Sequence, residues 1–198
     1  MASTAYISLQ AFLARMMSFH YSSISIFFLS FLLRQSCGAL ASPDIVEHTC
    51  KKIAAENHDV KYAFCVSSLR PAAKGCRDLR RLAVVATRLA AANSKRAEAA
   101  ADAALKEGEQ RLSRYEKSCL DSCQELFSGA VDDLESAARM IEAASFVEAK
   151  VHLSAGVDAP VTCEDGFREG GIASLLAKED EDLLQLTMIA LDMTASLS

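Results

Sequence analysis

From about residue 77 onward, apolar positions recur in steps of three and four, the period of helices that each bury one stripe. Leu79, Leu82, Ala86, Leu89, Asn93, Ala97, Ala100 and Ala104 trace one stripe over a run from about Arg77 to Glu107, which Gly108 ends. A second run, from about Leu112 to Ala144, puts Leu112, Tyr115, Cys119, Cys123, Leu126, Ala130, Leu134, Ala137 and Ile141 on one face. Two runs of this length joined at Gly108 must be antiparallel neighbours. A third begins near Phe146 with Val147, Val151 and Ser154, and Pro160 is expected to kink or restart it before Cys163. Gly166, Gly170 and Gly171 then mark a loosened connection. The last run, from about Asp180 to Leu197, turns Leu183, Leu186, Ala190, Thr194 and Leu197 inward, and its opening Glu179 to Asp182 sets four acids on the positive end of the helix dipole. Upstream, residues 44–70 read as two short amphipathic helices with a polar turn near Asn57, His58 and Asp59, followed by a break at Pro71 and Gly75. The fold expected is all-α: a helical hairpin over 44–70, then a four-helix up-and-down bundle over 77–198.

The apolar run nearest the N-terminus has a different meaning. Residues 24–33, ISIFFLSFLL, are too few to cross a bilayer core of roughly 30 Å but suit the core of a signal peptide. Ala39-Leu40-Ala41 supplies the small-x-small pattern for cleavage after Ala41. Residues 1–41 are therefore expected to be a signal peptide, with Met16 or Met17 as the start that gives it an ordinary length, and 42–198 the mature domain. Cleavage removes Cys37, leaving six cysteines in a chain whose export permits disulfides. Cys50 and Cys65 would clamp the hairpin. Cys123 lies about 21 residues before the turn near Ala144 and Cys163 about 17 after Phe146, so at roughly 1.5 Å per residue they reach similar heights and can pair. Cys76 and Cys119 differ in height by roughly 30 Å, so they are expected to stay unpaired or to bond between molecules.

Composition narrows the class further. There is no Trp and only 7% of residues are aromatic, too few to cover the faces of a β-sandwich or barrel. Positions 83–104 hold eleven Ala, which let helices approach closely but bury little area each. Cross-links offset so thin a core: on a loop-closure argument Cys50–Cys65 contributes about 3 kcal/mol and Cys123–Cys163 about 4 kcal/mol. A formal charge of −5 argues against a nucleic-acid partner, and it becomes more negative once Arg15 and Arg34 leave with the signal. Arg77, Arg81 and Arg88 form a basic stripe opposite Leu79 and Leu82, either a solvated face or a partner contact.

Signs of catalysis are missing from the sequence. His48, His58 and His152 are scattered, Ser154 lacks a Gly-x-Ser-x-Gly elbow, and Gly170-Gly171 lacks the Lys-Ser/Thr of a phosphate loop. Cys119 and Cys123, four apart on one face, form at most half of a metal site with no Cys/His pair to complete it. No catalytic residue, metal or cofactor is expected.

Several blocks in order carry a resemblance: CKKIAAENHDVKYAFCVSSL at 50–69, DLRRLAVVATRLA at 78–90, CQELFSGAVDDLESA at 123–137, HLSAGVDAPVTCEDGF at 152–167 and QLTMIAL at 185–191. Together they resemble the plant invertase and pectin methylesterase inhibitors over essentially the whole mature chain. Within that family the likeness is greatest to the subgroup named as invertase inhibitors, which includes a plane-tree pollen allergen. The resemblance implies a hairpin plus four-helix bundle with disulfides Cys50–Cys65 and Cys123–Cys163, leaving Cys76 and Cys119 outside the family set. It implies no enzyme but a secreted protein that inhibits one by stoichiometric, non-covalent binding. The target would be an acid invertase, which hydrolyses sucrose, or a pectin methylesterase, which de-esterifies cell-wall pectin. In the invertase-inhibiting group a Pro-Lys-Phe motif between the second and third bundle helices reaches the enzyme's catalytic carboxylates. The matching residues here are Ala144, Ser145 and Phe146, so the phenylalanine is kept and the Pro and the cation are not. Phe146 has a second reading, as a helix-start residue packed under the turn. The implied setting is the apoplast or cell wall, with the vacuole as alternative, and a monomer or weak dimer with neither nucleic acid nor, after signal cleavage, membrane as partner. The competing reading is a non-inhibitory secreted seed or pollen protein, structural or binding, on the same fold.

Overall fold

The computed structural model describes residues 44–198; the expected signal peptide, its cleavage after Ala41 and the starts at Met16 and Met17 lie outside the described residues. Among the described residues there are six helices and no strand. α1 (Ile45–Glu56) and α2 (Tyr62–Ala72) form the hairpin. α3 (Leu79–Glu107), α4 (Arg114–Glu142), α5 (Phe146–Glu169) and α6 (Ala177–Ala195) form the bundle, each packed on the next, with α3 against α6 closing the square.

Short polar side chains set the helix starts. Asp44 accepts from the Val46 amide at 3.1 Å and Asp78 from the Arg81 amide at 2.9 Å. At α4 the Ser113 hydroxyl accepts from the Glu116 amide at 3.2 Å, while the Glu116 carboxylate accepts from the Ser113 amide at 2.7 Å. This reciprocal box satisfies two otherwise unpaired donors. Its hydrogen bonds to Ser113, side chain first and then backbone, hold the Glu116 carboxyl below its usual range.

The core follows from the unequal sizes of facing residues. α3 offers Ala83, Ala86, Ala90, Ala97 and Ala101, all fully buried, and α4 fills the space with Leu120, Phe127, Leu134 and Ile141. Small residues on one helix let a neighbour's large ones interdigitate at close range. The Ser94 hydroxyl donates to the Phe127 carbonyl at 2.8 Å, tying α3 to α4 through a buried polar contact. Gly156 does the same steric service for α5: a Cβ there would stand 2.9 Å from Leu134 Cδ2 and 3.2 Å from Thr187 Cγ2. The disulfide Cys123–Cys163 joins α4 to α5 across 40 residues of sequence, and Cys50–Cys65 joins α1 to α2 across 15.

The hairpin is seated on α6 by polar bonds. Buried Gln185 accepts from the Lys61 amide at 2.9 Å and donates to the Asp59 carbonyl at 2.7 Å, so its amide spans the α1–α2 turn. Asn57 Nδ2 donates to Asp192 Oδ2 at 2.9 Å.

Several local expectations need correction. Pro160 lies buried inside an unbroken α5, a helix packed on both α4 and α6. Gly166 also lies within α5, so the loose connection covers 170–176. Val147 and Val151 are 65% and 67% exposed and Ser154 is exposed as well; the buried face of α5 is instead Ala149, Leu153, Gly156, Cys163 and Phe167. Tyr115 points outward and donates its hydroxyl to the Gly166 carbonyl at 2.9 Å. Pro71 falls in the last turn of α2 rather than beyond it. α6 begins at Ala177, so only Glu179 and Asp180 sit in its first turn, and Asp180 is buried.

Candidate functional site

α4 and α5 are joined by three residues, Ala143 to Ser145. The Ala144 amide donates to the Ile141 carbonyl at 3.1 Å and the Ser145 amide to the Met140 carbonyl at 2.8 Å. These two bonds are the Schellman arrangement, which needs a left-handed residue at the corner. Ala144 takes that place with φ of 60°, a conformation that glycine adopts without strain and alanine does not. Ala144→Gly is therefore expected to raise stability by about 1 kcal/mol, read as a higher denaturation midpoint at unchanged slope. An unchanged midpoint would show that the corner holds no strain.

Ala143 and Ala144 are exposed, Ser145 makes no side-chain cap, and Phe146 is half-buried against the core. The structure thus brings Ala144, Ser145 and Phe146 together in one tight corner, with the Phe146 ring packed beneath it. Beyond the corner, Val147 and Val151 stand one turn apart on the outside of α5, an apolar step facing solvent and not the core. Beside them His152 Nδ1 lies 2.7 Å from Asp133 Oδ1 of α4. A groove of about 550 Å³ between α4 and α5 continues from Asp133, with Gly129, Ala130, Ala155 and Ala159 along its floor and Glu125 and Asp158 at its rims.

The remaining cysteines are free thiols. Cys76 is half-exposed in the connection before α3, and Cys119 is buried in α4 under Tyr115. Burial pushes the Cys119 thiol up, which makes it a poor nucleophile. A second buried group that the sequence did not reveal is Asp180. Neither of its carboxylate oxygens nor Glu164 Oε1 finds a donor among the described residues. Burial first, and then the Glu164 carboxyl beside it, push the Asp180 pKa up to about 9.

His48, His58 and His152 do not converge, and among the described residues no three His, Cys, Asp or Glu side chains form a cluster fit for a metal ion. No described helix is long and apolar enough to cross a membrane. What the fold presents is a cross-linked helical bundle with a tight, exposed corner between two of its helices, a surface suited to docking.

The family model for plant invertase/pectin methylesterase inhibitor matches residues 44–193, and the chain belongs to that family. It is a proteinaceous enzyme inhibitor and not itself an enzyme. A Platanus acerifolia protein named "Putative invertase inhibitor" is 36% identical over 174 residues, 87% of this chain and 94% of that one. Its namesake in Platanus orientalis is 37% identical over 157 residues, 78% of this chain and 91% of that one. Pectinesterase inhibitor 12 of Arabidopsis thaliana is 33% identical over 75 residues, 38% of this chain and 43% of that one. The crystal structure of a pectin methylesterase inhibitor from Arabidopsis thaliana shares the fold with a TM-score of 0.57 at 19% identity, over 79% of this chain and 98% of that one.

Proposed function

We propose that the protein is exported to the cell wall and there blocks a pectin methylesterase by stoichiometric, non-covalent docking of a monomer. It presents the Ala144–Phe146 corner and the outer face of α5. The single observation behind this choice of target is the left-handed Ala144. Proline has φ fixed near −65°, so a Pro-Lys-Phe corner cannot be laid on this backbone, and Ser145 brings no cation to meet catalytic carboxylates. Val147 and Val151 supply apolar contact at the edge of the corner, and farther along α4 and α5 the groove beyond Asp133 has an acidic rim. Acid invertase is the second reading, favoured by the names of the two Platanus relatives.

The test uses the protein secreted after expression of the full chain. It is titrated against a pectin methylesterase, a cell-wall invertase and a vacuolar invertase, near pH 5 and near pH 7. Pectin methylesterase activity is expected to fall to zero at about one inhibitor per enzyme while both invertases keep theirs. Val147→Asp with Val151→Asp should weaken inhibition by about tenfold or more, since a charge placed in a docked apolar contact is unpaired, and should leave the melting temperature unchanged. Loss of invertase activity instead would move the target to the second reading. Three unaffected enzymes would leave the non-inhibitory alternative.

A further inference from the structure

The cations of this acidic chain are not evenly spread. Residues 74–96 carry seven of them, Lys74, Arg77, Arg80, Arg81, Arg88, Lys95 and Arg96, against one acid, Asp78. Arg81, Arg88 and Lys95 recur every seven residues on α3 and so stand on one line, about 21 Å long. Acids answer these three: Asp78 lies 3.4 Å from Arg81, Glu142 lies 2.6 Å from Arg88 and Glu135 lies 2.7 Å from Lys95. Among the described residues, Lys74, Arg77 and Arg80 have no acid within ion-pair distance, and all three are exposed. Lys74, Arg80, Arg81 and Arg88 line a trough of about 440 Å³ whose apolar part is Val84 and Val85.

We propose that this trough and the line of cations leading from it bind a linear polycarboxylate of the acidic-polysaccharide class, a polyuronate with one carboxylate per sugar. Three observations favour that occupant. The charge is arranged along a line, which suits a polymer whose carboxylates repeat along its length. Among the described residues no aromatic side chain lines the trough, so nothing is placed there to stack nucleobases. The chain as a whole is acidic, so long-range repulsion disfavours a densely charged nucleic acid, while the local cations suffice for a polymer of lower charge density. The surface lies before α3 and between α3 and the end of α4; the one acid that lines the trough, Glu142, is paired with Arg88 and stands two residues before the Ala144 corner proposed to dock the enzyme. An inhibitor held in this way would be retained where uronate carboxylates are free.

The probe is a fluorescently labelled oligogalacturonate of about ten sugars, titrated with the secreted protein at pH 5 in 50 mM and 200 mM NaCl. Binding is expected at the lower salt and should weaken by about tenfold at the higher one, as carboxylate contacts of a few cations require. The fully methyl-esterified oligomer should bind at least about tenfold more weakly, because it has lost the charge that the cations recognise. The triple variant Lys74→Gln, Arg80→Gln, Arg81→Gln should lose binding by a similar factor with unchanged melting temperature and unchanged enzyme inhibition. Equal binding of the esterified oligomer, full binding by the triple variant, or equal binding of a single-stranded DNA of the same length would each overturn the proposal. A triple variant that inhibits poorly, with no oligomer bound by the parent protein, would assign the face to a protein partner instead.

Discussion

Replacing both Cys123 and Cys163 by alanine should lower the unfolding free energy by about 4 kcal/mol and the melting temperature by about 10 °C. The loop it opens is 40 residues, nearly three times the 15 of the hairpin disulfide, so the unfolded chain gains more freedom from its loss. Both sulfurs are buried, between helices whose neighbours in the core include many alanines. An alanine contact contributes little area, so the bundle has few other large contacts to fall back on. Both cysteines are changed together because a single thiol left at 123 would stand one turn from the free Cys119. Differential scanning calorimetry of the parent and the double variant measures the difference. A loss below about 1 kcal/mol would mean that the alanine core suffices without its cross-link.

The second large effect is one of pH. Asp180 binds its proton far more tightly in the folded protein than in the unfolded chain, where a carboxyl titrates near its ordinary value. The folded state then holds more protons, so stability falls as pH rises. The contribution is present in full below about pH 4 and is lost progressively as pH climbs toward 9. Burial is the chief cause, and the facing groups add to it: Glu164 from α5 and Glu179 from the same turn of α6 both disfavour a charge on Asp180, while the Lys178 ammonium is occupied by Asp182. Asp180→Asn removes the charge and keeps the size. It should raise the melting temperature at pH 7.5 by roughly 5 °C, from about 2 kcal/mol, and change little at pH 4.5. Melting curves from pH 4.5 to 8 test this; a variant whose stability falls with pH as steeply as the parent's would place the effect elsewhere.

What was legible in the sequence was whatever repeats or has one chemical meaning. Leucine and alanine stripes at helical spacing gave α3, α4 and α6 to within a few residues, because periodic burial is written directly into residue type. The misplaced face of α5 has a physical cause. Its buried stripe runs through Ala149 and Gly156, residues with little hydrophobic signal, while the stronger Val147 and Val151 face solvent. A valine pair at helical spacing marks a face but does not say which side the partner is on. Asp180 sits in a run of four acids that reads as a solvated helix start, and only the arrival of α5 buries it. Gln185 has no sequence signature, since its value lies in the turn 124 residues away that its amide receives. At the candidate site the three residues of the corner were visible, but the backbone that excludes proline from Ala144 was not. An alanine carries no mark of positive φ, unlike a glycine.

The two disulfides close loops that neither overlap nor enclose one another: 50 to 65 within the hairpin, 123 to 163 within the bundle. Neither crosses the join between these two parts. Apart from the connecting chain before Leu79, the hairpin is held by packing, by the amide of Gln185, by the Asn57–Asp192 contact and by the Lys61–Glu181 ion pair. The molecule is thus two separately sewn pieces with a reversible seam. Were α1 and α2 to part from α6, Cys50–Cys65 would still hold them to each other, and Cys123–Cys163 would still tie α4 to α5 on either side of the corner.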